Sequence, residues 1–251
     1  MMRFLRNSRL RALFPLVLLS LFVVIPADAQ NFRIDVTGGD PNADFGVAIQ
    51  LVVAMTLLTL GPSVVMMMTS FTRIVIVLGF VRNAVGVNSA PSSQMIVGMA
   101  LFLTFFLMGP VWNRIYEDAV VPYMADEMRS GDALETANAH MKDFMLNQTR
   151  RADVNFFLEL SRQGATTRDD LPLSIVLPSF VLSELRTAFQ MGFLIFIPFI
   201  IVDFIVASSL MSMGMMMMPP VVISMPFKLL LFVLVDGWYI VVQSLVDSFN
   251  I

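Results

Sequence analysis

Long apolar runs alternate with polar connections along this chain. Apolar residues dominate residues 45–81, 95–111, 188–211 and 221–242. Each of the last two runs exceeds the roughly 20 residues that a helix needs to cross a bilayer. The pattern therefore predicts an all-α membrane protein with about four long apolar helices arranged as hairpins.

The first apolar run is interrupted at Gly61-Pro62. A glycine followed by proline kinks or ends a helix, because proline lacks a backbone donor and clashes with the preceding turn. Residues 45–81 are then either one broken helix or a tight hairpin. We adopt one broken span, which gives four spans and leaves Arg73 and Arg82 towards the cytoplasmic end of the first.

Residues 112–186 form the only long hydrophilic stretch, and the four-span arrangement places it on the periplasmic side. Asp132 with Glu135 is typical of a capping box at a helix start. The helix is expected to pack through a periodic stripe consisting of Leu134, Ala137, Met141, Phe144 and Met145. A second helix is predicted over Arg151–Gln163.

The N-terminal residues have the organisation of a secretory signal peptide. Four arginines precede an apolar run at residues 12–25, and Ala27 and Ala29 then occupy the small-residue positions of a cleavage site. We expect cleavage before Gln30, with an uncleaved anchor as the alternative. The predicted organisation is a signal peptide at 1–29, a polar segment at 30–44, an apolar helical pair at 45–111 kinked at Gly61-Pro62, a hydrophilic helical region at 112–186 and a second apolar hairpin at 187–251.

Composition supports a membrane protein and excludes several functions. The chain is 57% hydrophobic and 14% charged, against roughly 45–50% and 25% in globular proteins. The net charge of −3 comes without a basic stripe, so no nucleic acid partner is expected. The sequence has no cysteine and a single histidine, His140, whose proximity to Asp143 is typical of a surface pair. Nucleotide-binding and hydrolase motifs are absent, and we expect no metal, no cofactor and no enzymatic activity.

Four charged residues interrupt the apolar runs: Arg73, Asp203, Lys228 and Asp236. Each costs at least roughly 2.5–3.5 kcal/mol at a helix centre, so each requires a partner or water. Lys228 and Asp236 lie about 12 Å apart along one helix and cannot pair within it. Asp203 needs a counter-charge from another helix or chain. A proton or ion relay is one interpretation, but we favour charge pairs that set helix register.

Methionine is concentrated between the last two apolar helices, in the sequence MSMGMMMMPP at 211–220. Thioethers bind Cu(I), but copper carriers usually add cysteine or histidine, which this segment lacks. Methionine is flexible and fills irregular gaps. Irregular backbone at membrane depth is tolerated where it is buried in protein or lines a cavity. The segment therefore predicts a compliant apolar plug in a pore.

Several long segments together resemble the FliP family of flagellar export-gate proteins and its type III secretion counterparts. They are MMMTSFTRIVIVLGFVRNAVG (66–86), ALFLTFFLMGPVWNRI (100–115), FMLNQTRRADVNFF (144–157) and the run at 177–245 that begins LPSFVLSELRTAF. The resemblance implies a core pore subunit of the flagellar type III export gate. It places the protein in the bacterial inner membrane, within the flagellar basal body.

The resemblance also implies partners and site residues. Family members form a helical pentamer that joins FliQ and FliR next to FlhA and FlhB, and unfolded flagellar subunits pass through it. The pore-sealing methionines of the family match Met215, Met216 and Met217, and its intramembrane charges match Asp203 and Lys228. An ion-coupled secondary transporter is the alternative, but it predicts internal repeats, and none is visible between 45–111 and 187–243.

Overall fold

The computed structural model describes residues 41–87, 91–161, 167–215 and 219–250. Throughout these residues the regular elements are helices, which confirms the all-α prediction. The α-helices are α1 Pro41–Met67, α2 Phe71–Val85, α3 Ser93–Leu107, α4 Gly109–Ile115, α5 Val121–Met124, α6 Ser130–Gln148, α7 Arg151–Ser161, α8 Leu173–Ser212, α9 Pro220–Leu234 and α10 Gly237–Asp247. A π-helical turn at Tyr116–Val120 joins α4 to α5, and Arg168–Asp170 forms a 3-10 turn.

The chain divides into two compact units, 1–56 and 57–251. The described part of the first unit is the N-terminal half of α1. All the elements from α2 onwards belong to the second unit, which carries every contact discussed below.

The first apolar run bends later than the sequence predicts. Helix α1 continues through Gly61 and Pro62, and the chain then turns by 70° between α1 and α2. Proline removes a single donor, which apolar membrane helices tolerate. At the bend, Thr69 Oγ1 donates to the Met66 carbonyl at 2.8 Å and accepts from the Phe71 N–H at 3.4 Å. The hydroxyl thus competes for backbone groups and ends the helix there.

Two further apolar segments are bent rather than straight. Helix α3 meets Gly109–Met124 at 54°, and α9 meets α10 at 63°. The second bend contradicts a straight helix over 221–242. Asp236 lies there in the left-handed region, with φ of 51°, which aspartate adopts more readily than most residues. Among the described residues, α8 is the one helix that is both long and apolar enough to cross a membrane by itself, and up to four spans result if each bent pair counts as one.

Helix α8 is much longer than the predicted apolar segment. It has 40 residues and begins at Leu173, with Pro178 and Pro198 inside it. The helix therefore begins inside the predicted hydrophilic stretch and includes its residues 173–186. Side chains such as Ile175, Val176 and Phe180 are buried, so packing keeps this polar-looking segment within the helix.

The predicted helix stripe in the hydrophilic region is largely correct, but the capping box is wrong. Helix α6 begins at Ser130, before Asp132, and has no side-chain cap. Met141, Phe144 and Met145 are buried as predicted, whereas the Leu134 side chain is 65% exposed. Helix α7 begins at the predicted residue, Arg151, and is described as far as Ser161, so Gln163 lies outside the described residues.

Two apolar cores form along α8. The apolar-helix core contains Ile74, Val77, Leu78, Val81, Ala84, Ile96, Ala100, Leu107, Ala188, Phe199, Phe232, Val241, Leu245 and Phe249. The hydrophilic-region core contains Met108, Val111, Ile115, Met141, Phe144, Met145, Leu171, Ile175, Val176 and Phe180. On α8, the members of the two cores are separated by residues 181–187, which include the fully buried Ser183 and Glu184.

The closest approach of α2 and α8 generates a stability prediction. A Cβ atom at Gly192 would lie 2.4 Å from Phe80 Cδ2, and the Phe80 ring also packs edge-on against Phe189. Gly192→Ala should therefore destabilise the chain by about 1–3 kcal/mol, as overpacking does. Thermal unfolding of the detergent-solubilised protein should show a lower Tm.

The matched control is Gly79→Ala. Gly79 lies on α2, and a Cβ atom there has nothing within 4 Å. Its Tm should equal that of the wild type or rise slightly, since alanine favours helix. Equal Tm values for the two variants would contradict the close packing of α2 on α8.

Candidate functional site

An ion pair joins the two helices that flank the Met-rich turn. Lys228 Nζ on α9 lies 2.5 Å from Asp203 Oδ2 on α8. Ser224, one turn before Lys228 on the same face of α9, donates its hydroxyl to Asp203 Oδ1. The Lys228 side chain is 6% exposed and that of Asp203 is 33% exposed. The structure thus provides Asp203 with a counter-charge on a neighbouring helix of the same chain.

A second ion pair lies fully buried between α2 and α8. Arg73 Nε donates to Glu184 Oε2 at 2.8 Å, and Arg73 Nη2 donates to Glu184 Oε1. This is a bidentate arrangement, which is both strong and directional. The Arg73 and Glu184 side chains are 2% and 0% exposed, so neither charge has solvent as an alternative partner.

The remaining nitrogen and the planar face of the Arg73 guanidinium also have partners. Its Nη1 donates to the Ser248 carbonyl at 2.7 Å and to Ser248 Oγ at 3.0 Å. The Phe249 ring lies against the guanidinium, with its centroid 3.9 Å from Cζ, a cation–π contact. All three guanidinium nitrogens are therefore paired, as a buried charge requires.

Glu184 is not among the site residues that the sequence predicts, because it lies within the hydrophilic stretch at 112–186. Two signals point to it. Residues 173–182, LSIVLPSFVL, are mostly apolar, which extends the following apolar run upstream. Glu184 is also the only acidic residue between Asp170 and Asp203, and Arg73 needs an acidic partner.

The structure does not bring Asp236 into an ion pair with any described residue. Asp236 is exposed at the bend between α9 and α10, where its carbonyl accepts from the Ile240 N–H at 3.2 Å. The predicted need for a partner was based on a position inside a straight helix. The bend instead leaves the carboxylate exposed beside apolar side chains such as Leu234 and Tyr239, and no counter-charge for it lies among the described residues.

The Met-rich turn is described only in part. Helix α8 ends at Ser212, Gly214 follows with φ of 75°, and the Met215 side chain is 38% exposed. A glycine in the left-handed region is a common helix terminator. Met216 and Met217 lie outside the described residues, as do Ala27, Ala29 and Gln30.

Within the described residues, no group of three or more histidine, cysteine or acidic side chains is placed to hold a metal ion. His140 Nε2 lies 2.9 Å from Asp118 Oδ2, in the π-helical turn, rather than against Asp143. Asp143 instead accepts from Arg168 and from Asn147. These contacts tie α6 to its neighbours on the surface.

The unequal burial of Asp203 and Lys228 predicts unequal effects of their removal. Asp203→Ala leaves a buried ammonium group unpaired and should cost about 3–5 kcal/mol. Lys228→Ala leaves a carboxylate that is one-third exposed, so it should cost less. Removal of both charges should restore part of the loss, because no unpaired charge remains.

The Tm of each detergent-solubilised variant tests this order. Asp247→Ala is a control, since Asp247 is an exposed acid at the end of α10 and should leave the Tm unchanged. If the double variant is as unstable as the sum of the single variants, the two groups are not coupled.

The sequence was compared with known proteins. The profile of the FliP family matches residues 54–245. The flagellar biosynthetic protein FliP of Bacillus subtilis (strain 168) is 48% identical over 221 residues, which are 88% of this chain and 100% of that protein. The protein of the same name from Caulobacter vibrioides (strain ATCC 19089 / CIP 103742 / CB 15) is 50% identical over 203 residues, 80% of this chain and 76% of the relative.

A third relative is longer than this chain. The flagellar biosynthetic protein FliP of Buchnera aphidicola subsp. Acyrthosiphon pisum (strain APS) is 51% identical over 212 residues, which are 84% of this chain but only 56% of the relative. The chain thus spans little more than half the length of that protein. Both ion pairs, Arg73 with Glu184 and Asp203 with Lys228, lie inside the residues that the family profile matches. The chain belongs to the FliP family.

Proposed function

We propose that this protein is a core pore subunit of the flagellar type III export gate and passes unfolded flagellar proteins across the inner membrane. The names of its relatives support a role in building the flagellum. The observation that carries the proposal is the α8–α9 hairpin, which combines an internally paired charge, apolar outer faces and a methionine-rich tip.

The hairpin is built for contact with other apolar surfaces. Asp203 and Lys228 are the only charged residues between Arg186 and Asp236, and they pair with each other. The hairpin therefore presents no unpaired charge. Its exposed side chains are mostly large and apolar and include Phe193, Leu194, Phe204, Ile205, Val221, Phe227, Leu230, Val233 and Leu234. An exposed apolar surface of this extent marks contact with lipid or with other subunits.

These exposed faces favour assembly into a larger complex. The proposed complex is a pentamer of this chain that joins FliQ and FliR and lies next to FlhA and FlhB. It is located in the inner membrane, within the flagellar basal body. The hydrophilic region at 112–186 faces the periplasm in this arrangement, after removal of the signal peptide before Gln30.

The protein acts without catalysis or cofactors in this proposal. The polar groups of the site are engaged in closed pairs, and a proton relay would need several titratable groups in line. The relatives reported above are named for flagellar biosynthesis, so the ion-coupled transporter has no support.

The Met-rich turn supplies the seal of the proposed pore. Apolar constrictions close by dewetting, and flexible side chains seal without a fixed shape. Five copies of Met215, Met216 and Met217 would form stacked thioether rings, which a passing polypeptide displaces at low cost. Gly214, in the left-handed region, lies between the end of α8 and Met215.

Removal of the methionine side chains should open the closed pore. Replacement of Met215, Met216 and Met217 by glycine should make the membrane permeable to ions and small solutes and slow growth, because the constriction widens. Assembly of the complex should persist, since the Asp203–Lys228 pair is unchanged. Membrane conductance in planar bilayers and solute uptake in cells measure the leak.

Substitution of Met211 and Met213 by glycine is the matched control, since these methionines precede the proposed seal. It should leave the conductance at the wild-type level. A triple variant with wild-type conductance would remove the methionine seal from the proposal. Altered copper tolerance without a leak would favour metal handling instead.

A further inference from the structure

The segment Ser248–Asn250 contacts two buried polar residues on different helices. Ser248 accepts two hydrogen bonds from Arg73 of α2, and Phe249 packs against the same guanidinium. Two residues on, Asn250 exchanges a pair of hydrogen bonds with Gln148 at the end of α6. Gln148 Nε2 donates to the Asn250 carbonyl at 2.8 Å, and the Asn250 N–H donates to Gln148 Oε1 at 3.3 Å.

Arg73 and Gln148 also bind adjacent residues of α8. Arg73 forms the bidentate ion pair with Glu184. Gln148 binds Ser183: the Ser183 hydroxyl donates to the Gln148 carbonyl at 3.5 Å and accepts from the Arg150 N–H at 3.2 Å. The segment is therefore joined to one point of α8 by two parallel polar chains. We call this set the clasp: Arg73, Gln148, Ser183, Glu184 and Ser248–Asn250.

The clasp joins the two arms that flank the Met-rich turn, at the ends of the arms far from the turn. One arm is α8, and the other consists of α9 and α10. From that turn, α8 runs back to Ser183 and Glu184. In the other direction, α9 and α10 run forward to Ser248. The two arms are thus joined near the turn by the Asp203–Lys228 pair and at the base by the clasp.

We propose that the clasp stays closed during export and confines the motion of the hairpin to its methionine-rich tip. This inference rests on the proposed pore function. All the members except Ser248 and Asn250 are less than 9% exposed, so an open clasp would leave buried polar groups unpaired. The described side chains on either side of the turn, such as Met213, Met215 and Val221, are instead apolar and exposed, so they move without loss of buried hydrogen bonds.

Core packing supports this division. The chain bends by 63° between α9 and α10, α10 beyond the bend is held by the clasp, and Phe232 keeps the end of α9 in the apolar-helix core. Val241, Leu245 and Phe249 also fix α10 in the apolar-helix core. The fixed base and the Asp203–Lys228 pair together leave displacement to the part of the hairpin beyond that pair.

The test uses the assembled complex with Gln148→Met, which keeps a side chain of similar length but removes both hydrogen bonds to Asn250. Amide hydrogen exchange should rise about tenfold in α10, as expected for two lost hydrogen bonds. Membrane conductance should rise at the same time, because the arms separate at their base. Ser248→Ala removes the Oγ acceptor and the hydroxyl's hydrogen bond to the Leu245 carbonyl but keeps the Ser248 carbonyl that accepts from Arg73, so it should give a smaller change in both.

Asn147→Ala is the matched control, because Asn147 is the neighbouring residue and its side chain hydrogen-bonds to Asp143 and Arg168, which lie outside the clasp. It should change neither exchange in α10 nor conductance. If Gln148→Met changes neither quantity, the clasp does not hold α10 and the proposal is overturned. Faster exchange with wild-type conductance also overturns it, since the contact then has no effect on the pore.

A glycine variant of Met215, Met216 and Met217 separates this inference from the function on which it rests. If that variant leaks and Gln148→Met does not, the proposed role of the clasp is wrong, but the proposed pore function is retained. If neither variant leaks, the proposed pore itself fails, and with it the role of the clasp.

Discussion

The buried pair of Arg73 and Glu184 is the interaction on which this structure depends. Arg73 lies on α2, and Glu184 lies on α8 between the members of the apolar-helix core and those of the hydrophilic-region core. Arg73 has four partners: the Glu184 carboxylate, the carbonyl and hydroxyl of Ser248, and the Phe249 ring. Such a pair contributes less to stability than an apolar substitute of similar shape, but loss of one partner is severe because a charge remains buried. It therefore fixes one arrangement of α2, α8 and α10.

This arrangement explains how a hairpin with an apolar exterior is held in place. Helix α8 is anchored at its base in both cores, while its C-terminal half carries Asp203 and leads to the Met-rich turn. Arg73 with Glu184 and Asp203 with Lys228 are paired within the chain, so these four charges do not need a partner subunit. The outer faces remain free for apolar contacts, which suits a subunit whose neighbours are other membrane helices.

The helical secondary structure and the charged residues within the apolar runs were predictable, because apolar runs and isolated ionisable residues are local features of the sequence. Asp203 and Lys228 could be selected, but their pairing could not, since it depends on how α8 and α9 align. Glu184 was missed because local polarity concealed a buried helix face. The bends were predictable only in part. Pro62, the predicted kink, lies inside a continuous helix. The actual bend lies at Thr69, where the hydroxyl binds backbone groups, and threonine also occurs in many helices that do not bend.

The coupling energy between Arg73 and Glu184 tests the central claim most directly. It is obtained from the unfolding free energies of the wild type, Arg73→Met, Glu184→Gln and the double variant, all in the same detergent. If the pair joins the two cores, each single variant loses about 3–5 kcal/mol, and the double variant loses much less than their sum. Additive losses would contradict the account, because they would mean that the two residues stabilise the protein independently.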